Sequence, residues 1–202
     1  MSFTCLFHQF FFLLLQSKPF YSFKADYFCC LFLHRMNDLY IQLGSNLGDR
    51  ALTIAKAIEL ITSACGPVIK ESACYETAPW GLANQGMFLN KVIMLQSSTK
   101  PFDIIDKLLS IEHILGRKRN GIPNEARVID IDILFYGDTV IASDILTIPH
   151  PRAHLRRFVL IPMNEIAPEL IHPVSGLSIN SLLESCPDNL DVSIYETVVN
   201  FS

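Results

Sequence analysis

Two aspartates one residue apart, Asp130-Ile131-Asp132, sit inside the β-branched run Val128-Ile129-Asp130-Ile131-Asp132-Ile133-Leu134. Side chains of a strand alternate between faces, so this spacing sends both carboxylates to one side and Ile129, Ile131 and Ile133 to the other. Two carboxylates on one side make a hard, oxygen-rich set of the kind Mg²⁺ takes when phosphate oxygens complete its shell. Arg117, Lys118, Arg119 and Arg127 lie just ahead of that strand, placing cations beside the acids in a chain whose formal net charge is −4. A metal on carboxylates with guanidinium groups on the surrounding oxygens is the recurring equipment of phosphoryl transfer. A surface network of ion pairs among the same residues accounts for the charge pattern equally well, and the residues alone leave both open.

Other chemistries have less support. There is no Walker A sequence and no Gly-x-Gly-x-x-Gly. Gly44-Ser45-Asn46-Leu47-Gly48 is a short turn that either offers backbone N–H groups to an anion or merely joins a strand to a helix. His150 and His154 are four apart, but Pro151 between them keeps them off a shared helix face, so they are not a metal pair.

The elements that must hold these residues follow from periodicity. Leu39–Leu43 is a short strand, and apolar residues from Leu52 to Cys65 recur at helical spacing before Gly66-Pro67. Val68–Tyr75 and Met87–Leu95 read as strands flanking the loop from Pro79 to Gly86. Pro101 opens a second helix that Gly116 stops, and after the basic stretch from Arg117 to Arg127 comes the strand Val128–Tyr136. Strand, helix, strand, strand, helix, strand is the ferredoxin-like split βαβ order. It predicts an α+β sandwich with an antiparallel sheet, helices packed on it, and C-terminal additions. In those additions His154–Ile166 reads as a helix interrupted by Pro162, and Ile179–Cys186 as a short helix.

Half of the 202 residues are apolar, enough for a core without staples, and the acidic balance argues against a nucleic-acid or membrane-surface binder. The six cysteines show no zinc spacing and read as reduced, mostly buried cytosolic thiols. Residues 1–35 differ from the rest, with the run Phe10-Phe11-Phe12-Leu13-Leu14-Leu15 and three of the six cysteines. No basic segment precedes that run and no small-residue cleavage site follows it, while Gln16, Lys18, Lys24 and Asp26 break it short of a membrane span. The expectation is that Met36 is the true start, with residues 1–35 a non-native or disordered extension and residues 36–202 the folded domain.

From Met36 to about Pro173 the chain resembles the 6-hydroxymethyl-7,8-dihydropterin pyrophosphokinases. The resemblance is carried in order by Gly44-Ser45-Asn46-Leu47-Gly48-Asp49-Arg50, Tyr75-Glu76-Thr77-Ala78-Pro79-Trp80-Gly81 and Phe88-Leu89-Asn90. It continues through Leu115-Gly116-Arg117-Lys118-Arg119, Arg127 to Leu134, Ile148-Pro149-His150-Pro151 and Glu165-Ile166-Ala167-Pro168-Glu169. It implies transfer of pyrophosphate from ATP, as co-substrate, to a hydroxymethyl-pterin in folate biosynthesis, with AMP leaving. Asp130 and Asp132 would hold two Mg²⁺ ions, with Arg117, Arg119 and Arg127 stabilising the phosphates and Glu112, His150 and Arg156 lining the nucleotide. Thr77, Pro79, Trp80 and Asn90 would contact the pterin, and Phe88 and Phe158 would sandwich it by offset stacking. The resemblance further implies a cytoplasmic monomer with small-molecule partners, without nucleic acid or membrane.

Two departures stand out. Pro123-Asn124-Glu125-Ala126 replaces a stretch where many members carry an Arg-Trp pair, which bears on lid closure over ATP, and Pro151 follows His150 in place of a more usual aromatic residue. Three rival readings remain: an RNA platform, which lacks exposed aromatics and basic excess; a two-metal nuclease or phosphatase using water; and a nucleotide-binding relic without turnover.

Overall fold

Alternating burial along the strands builds a sheet with two differently occupied faces. The computed structural model describes residues 36–79, 85–118 and 125–196, which belong to one compact unit. Five strands run in the order β5 (Asp130–Tyr136), β1 (Asn37–Ser45), β4 (Phe88–Ser97), β3 (Tyr75–Thr77) and β8 (Val192–Ile194), and β2 (Val68–Glu71) also pairs with β4. Every pairing is antiparallel. The expected split βαβ order is therefore the one observed, with helix α1 (Arg50–Cys65) after β1 and α2 (Pro101–Ile114) after β4.

One face carries Leu39, Ile41, Leu43, Leu89, Ile93, Leu95, Ile131 and Ile133, packed with Ile54, Ala57 and Ile61 of α1 and Ile104, Leu108 and Ile111 of α2. Spacings of three, four and seven put these helical residues on single stripes, which is why each helix lies flat on the sheet. Asp49 caps α1, its carboxylate accepting from the Leu52 N–H at 3.0 Å. Gly66 ends α1 at φ 119°, a conformation that favours glycine.

The opposite face carries Tyr40, Val92, Met94, Leu134 and Phe135, covered by α3 (Arg157–Ile166) and α4 (Ile179–Glu184) through Val159, Leu160, Met163, Ile179 and Leu182. These helices cover only part of that face. The uncovered part is floored by two cross-strand rows: Asn90, Gly44 and Asp130 in one, Gln42 and Asp132 in the next.

The sequence reading needs several corrections. The single strand expected over 68–75 is two short strands, β2 and β3, with Ser72 between them donating its N–H to the Val92 carbonyl at 2.9 Å. Pro162 does not interrupt its helix. It lies inside α3, buried beside Leu160 and Met163, and packing holds the helix through the missing N–H. A two-stranded ribbon of β6 (Ile141–Ala142) and β7 (Thr147–Ile148) and the edge strand β8 were not foreseen, being too short for alternation to register. Of the cysteines in the described residues, Cys65 is buried while Cys74 and Cys186 are half-buried. No helix among the described residues is long and apolar enough to cross a membrane.

Phe135 is 1% exposed and meets Tyr40 and His172 edge-on at 6.3 and 5.6 Å. Phe135→Ala is expected to cost about 3–5 kcal/mol of unfolding free energy, read from a shift in the urea midpoint at unchanged slope.

Candidate active site

The uncovered end of the sheet is a cleft lined by residues from six stretches of chain. Gln42 and Gly44 come from β1, Thr77 and Ala78 from the end of β3, and Phe88 and Asn90 from the start of β4. Arg117 follows α2, Arg127 precedes β5, Asp130, Asp132 and Leu134 come from β5, and the rest are His150, Arg152, Arg156, Phe158 and Val159. Gly44 is the reason the floor is open: a Cβ there would stand 3.3 Å from Asn90 Oδ1 and 4.0 Å from Asp130 Cβ, closing the space between amide and carboxylate.

The charged half is organised around Asp130. Its two carboxylate oxygens are taken by different arginines, Oδ1 by Arg117 and Oδ2 by Arg127, the latter at 2.5 Å. Arg117 also pairs with Glu112, which is 2% exposed and accepts the Ile131 N–H at 2.8 Å, between the two aspartates. Glu112 is therefore behind the cleft wall, not on it, and its visible partners are Arg117 and the backbone of β5. Asp132 is differently placed. Its side chain is 39% exposed toward the cleft, and His150 Nε2 stands 3.9 Å from its Oδ2. Enclosure by protein on its other sides, with the negative charges of Asp130 and Glu112, pushes its carboxyl up to about 7 against the opposing pull of Arg156 and Arg117.

His150 is drawn the other way. Burial, then the cations of Arg156 and Arg152, lowers it to about 4, so it faces Asp132 as a neutral imidazole at pH 7 rather than as half of a salt bridge. Its Nδ1 accepts the Arg152 N–H at 3.2 Å.

The other half is flat and mixed in polarity. Phe88 and Phe158 are half-buried on the cleft wall, and the Arg156 guanidinium lies 5.5 Å from the Phe158 ring centroid, a cation–π contact that fixes one side of that ring. Between them Asn90, 3% exposed, donates from Nδ2 to Thr77 Oγ1 at 2.8 Å.

Of the residues singled out in the sequence, the cleft gathers Thr77, Phe88, Asn90, Arg117, Arg127, Asp130, Asp132, His150, Arg156 and Phe158. Pro79 ends a described segment without joining the cleft wall, and Trp80 and Arg119 lie outside the described residues. The altered stretch 123–126 is described only at Glu125 and Ala126.

Three contributors escaped the sequence reading. Arg152 lines the cleft, and its closeness to His150 and Arg156 was the signal. Gln42 lines it too, from a strand that otherwise reads as core. Asn46 belongs to the scaffold. Its Oδ1 accepts the Arg127 N–H at 2.7 Å, its own N–H donates to the Arg127 carbonyl at 3.2 Å, and its Nδ2 donates to Gln85 Oε1 at 3.1 Å. Beside it Ser45 Oγ donates to the Val128 carbonyl at 2.6 Å. The Gly-Ser-Asn turn thus binds neighbouring chain, and its visible amide contacts are to protein.

A ferredoxin-like sheet carrying paired carboxylates among arginines beside an aromatic slot defines an enzyme of the phosphate-transferring class. Residues 40–168 match the family model described as 7,8-dihydro-6-hydroxymethylpterin-pyrophosphokinase, and the chain belongs to that family. It is 42% identical over 139 residues to a 2-amino-4-hydroxy-6-hydroxymethyldihydropteridine pyrophosphokinase of Aquifex aeolicus, covering 69% of this chain and 86% of that one. It is 44% identical over 151 residues to the folic acid synthesis protein fol1 of Pneumocystis carinii, covering 75% of this chain but only 20% of that much longer protein. In fold it is similar to the wild-type HPPK-DHPS of Plasmodium falciparum, with TM-score 0.62 at 18% identity, covering 75% of this chain and 45% of that one.

Because the His150 ring is held neutral, folding stability should weaken with acid. As pH falls from about 6.5 toward 4 the unfolded chain takes up a proton that the folded ring refuses, so this contribution is present above that window and lost within it. An NMR titration of the His150 ring should show no protonation between pH 8 and 5.5.

Proposed function

We propose that this chain carries out its family's reaction, transfer of pyrophosphate from ATP to the hydroxymethyl group of 6-hydroxymethyl-7,8-dihydropterin with release of AMP, in the cleft floored by Asn90, Gly44 and Asp130. The observation that carries this reading is the division of one cleft into an aromatic, amide-bearing half and a half built from carboxylates and arginines, adjoining at Gly44.

In this reading Phe88 and Phe158 face the two sides of the flat heterocycle, while Asn90 and Thr77 read its polar edge, and the family resemblance adds Pro79 and Trp80 as pterin contacts. Arg117, Arg127 and Arg156, together with Arg119 and the newly placed Arg152, bind the triphosphate oxygens as guanidinium forks. His150, neutral, adds a hydrogen-bonding nitrogen to the nucleotide. Glu112 is a positioning residue, holding Arg117 and the backbone between the aspartates.

Asp130 and Asp132 suit Mg²⁺. They are hard oxygen donors on one strand face, and Asp132 carries more negative surroundings than its cationic neighbours offset. Among the described residues no group of three or more acidic, histidine or cysteine side chains could hold a metal alone, which suits an ion whose shell is completed by substrate oxygens. Two Mg²⁺ ions held there would supply charge neutralisation to the phosphate oxygens.

The protein's own work is positioning. The hydroxymethyl oxygen is brought against the β-phosphorus, a bond from that oxygen to phosphorus forms as its proton is released to water, the bond from the β-phosphorus to the bridging oxygen breaks, and AMP departs with that oxygen. The cleft, and with it the reaction, is assigned to residues 36–202, acting on small molecules without nucleic acid.

The test is an assay of the full chain with ATP, Mg²⁺ and the reduced hydroxymethyl-pterin, following AMP. Pterin-dependent AMP is expected, and Asp130→Ala and Asp132→Ala should each reduce kcat/KM by at least about a hundredfold. ADP or free phosphate in place of AMP, or turnover indifferent to both substitutions, would sink this reading.

A further inference from the structure

The floor of the cleft contains a polar side chain with no part in the reaction as set out above. Gln42 is 5% exposed. It stands in register with Val92 on one side and Asp132 on the other, and reaches diagonally over the space left by Gly44. Its Nε2 donates to Asn90 Oδ1 at 3.1 Å and to the Leu43 carbonyl at 3.3 Å. Its Oε1 is buried without a hydrogen-bond partner among the described residues.

A side-chain amide has a donor end and an acceptor end, and its neighbours decide which points where. The Leu43 carbonyl can only accept, so it draws the amine end of Gln42 toward itself and toward Asn90. Facing a donor, Asn90 must turn its oxygen to Gln42, which leaves its amine to donate to Thr77 Oγ1 at 2.8 Å. The Thr77 hydroxyl cannot make this choice, because it donates or accepts with equal ease. The chain of decision therefore runs from Leu43 through Gln42 to Asn90.

We infer that Gln42 is a positioning residue that sets substrate specificity: by fixing the Asn90 amide it determines which order of donor and acceptor the cleft accepts along the edge of a heterocycle. With one bond of each end already used, Asn90 retains one N–H and one lone pair, in a fixed order, for a ligand. That order complements a ring edge carrying a carbonyl beside an N–H, as in a 2-amino-4-oxopteridine. It mismatches a 2,4-diaminopteridine, whose corresponding edge carries an amine beside a bare nitrogen. A reversed Asn90 would prefer the second edge to the first. The buried, unpartnered Oε1 is the cost of holding this orientation. The inference rests on the slot being the heterocycle site of the proposed reaction.

The experiment measures equilibrium binding of two probes, 6-hydroxymethylpterin and a 2,4-diamino-6-hydroxymethylpteridine, to the full chain and to Gln42→Met and Gln42→Glu, with thermal melting as a check of folding. The unaltered chain should favour the oxo probe by at least about tenfold. Gln42→Met, which removes the donor at nearly constant volume, should shrink that ratio about tenfold while leaving the affinity for ATP within about twofold. Gln42→Glu, which presents an acceptor to Asn90, should reverse the preference toward the diamino probe. Equal binding of the two probes by the unaltered chain would overturn the inference with no variant needed, as would folded variants that keep the original ratio. In both cases the pterin reading of the slot would survive. A chain that binds neither probe would overturn that reading, and the role of Gln42 with it.

Discussion

Everything at the working end of this molecule depends on one carboxylate being held from both sides. Asp130 stands at the start of the edge strand β5, and Arg117 and Arg127 take its two oxygens. Arg117 is itself held by Glu112, buried and anchored to the Ile131 N–H. Asp130 and Arg117 each have two opposite partners, so any one substitution weakens a network of poorly solvated ions. The cluster fastens α2, the entry to β5 and the aspartate pair into one body, and the cleft is the space left beside it.

This clustering has a further electrostatic result. Burial and the repulsion of Asp130 and Glu112 raise the Asp132 carboxyl against the pull of Arg156 and Arg117, while Asp130 two residues before it has Arg117 and Arg127 on its two oxygens. Adjacent acids of the same type are thereby made unequal, one with both oxygens on guanidinium groups and one inclined to share a proton or a cation. The sheet imposes the proximity, since its period of two fixes them on one face.

The fold was legible because its long elements carry strong periodicity. The apolar stripe of Ile54, Ala57 and Ile61, that of Ile104, Leu108 and Ile111, and the alternation through Ile129, Ile131 and Ile133 each have one structural solution. The short pieces were not legible: β6, β7 and β8 are two or three residues each, and their pairing is decided by neighbours far away in sequence. The cleft could be populated by residue number from the family resemblance. What the resemblance did not convey was which of those residues face the cleft. Glu112 reads as one more acid beside the arginines, yet helix geometry turns it into the core face with Ile104, Leu108 and Ile111. Gln42 reads as a lone polar residue in a buried strand, and only the register with Asp132 and the reach to Asn90 give it a neighbourhood.

Asn46 joins two segments that sequence separates by some forty residues, the chain that leads into β4 and the chain that leads into β5. One side-chain amide receives the Arg127 N–H and donates to Gln85, so the approach to the phosphate side and the approach to the heterocycle side end on the same short turn. A displacement of the Arg127 backbone and one of Gln85 both act on this one amide of Asn46. Free energy shared in this way is reciprocal: whatever factor one substrate contributes to the affinity of the other must be returned in full. Any coupling carried by this amide obeys that reciprocity, so the order in which two ligands arrive does not alter the combined strength with which they are held.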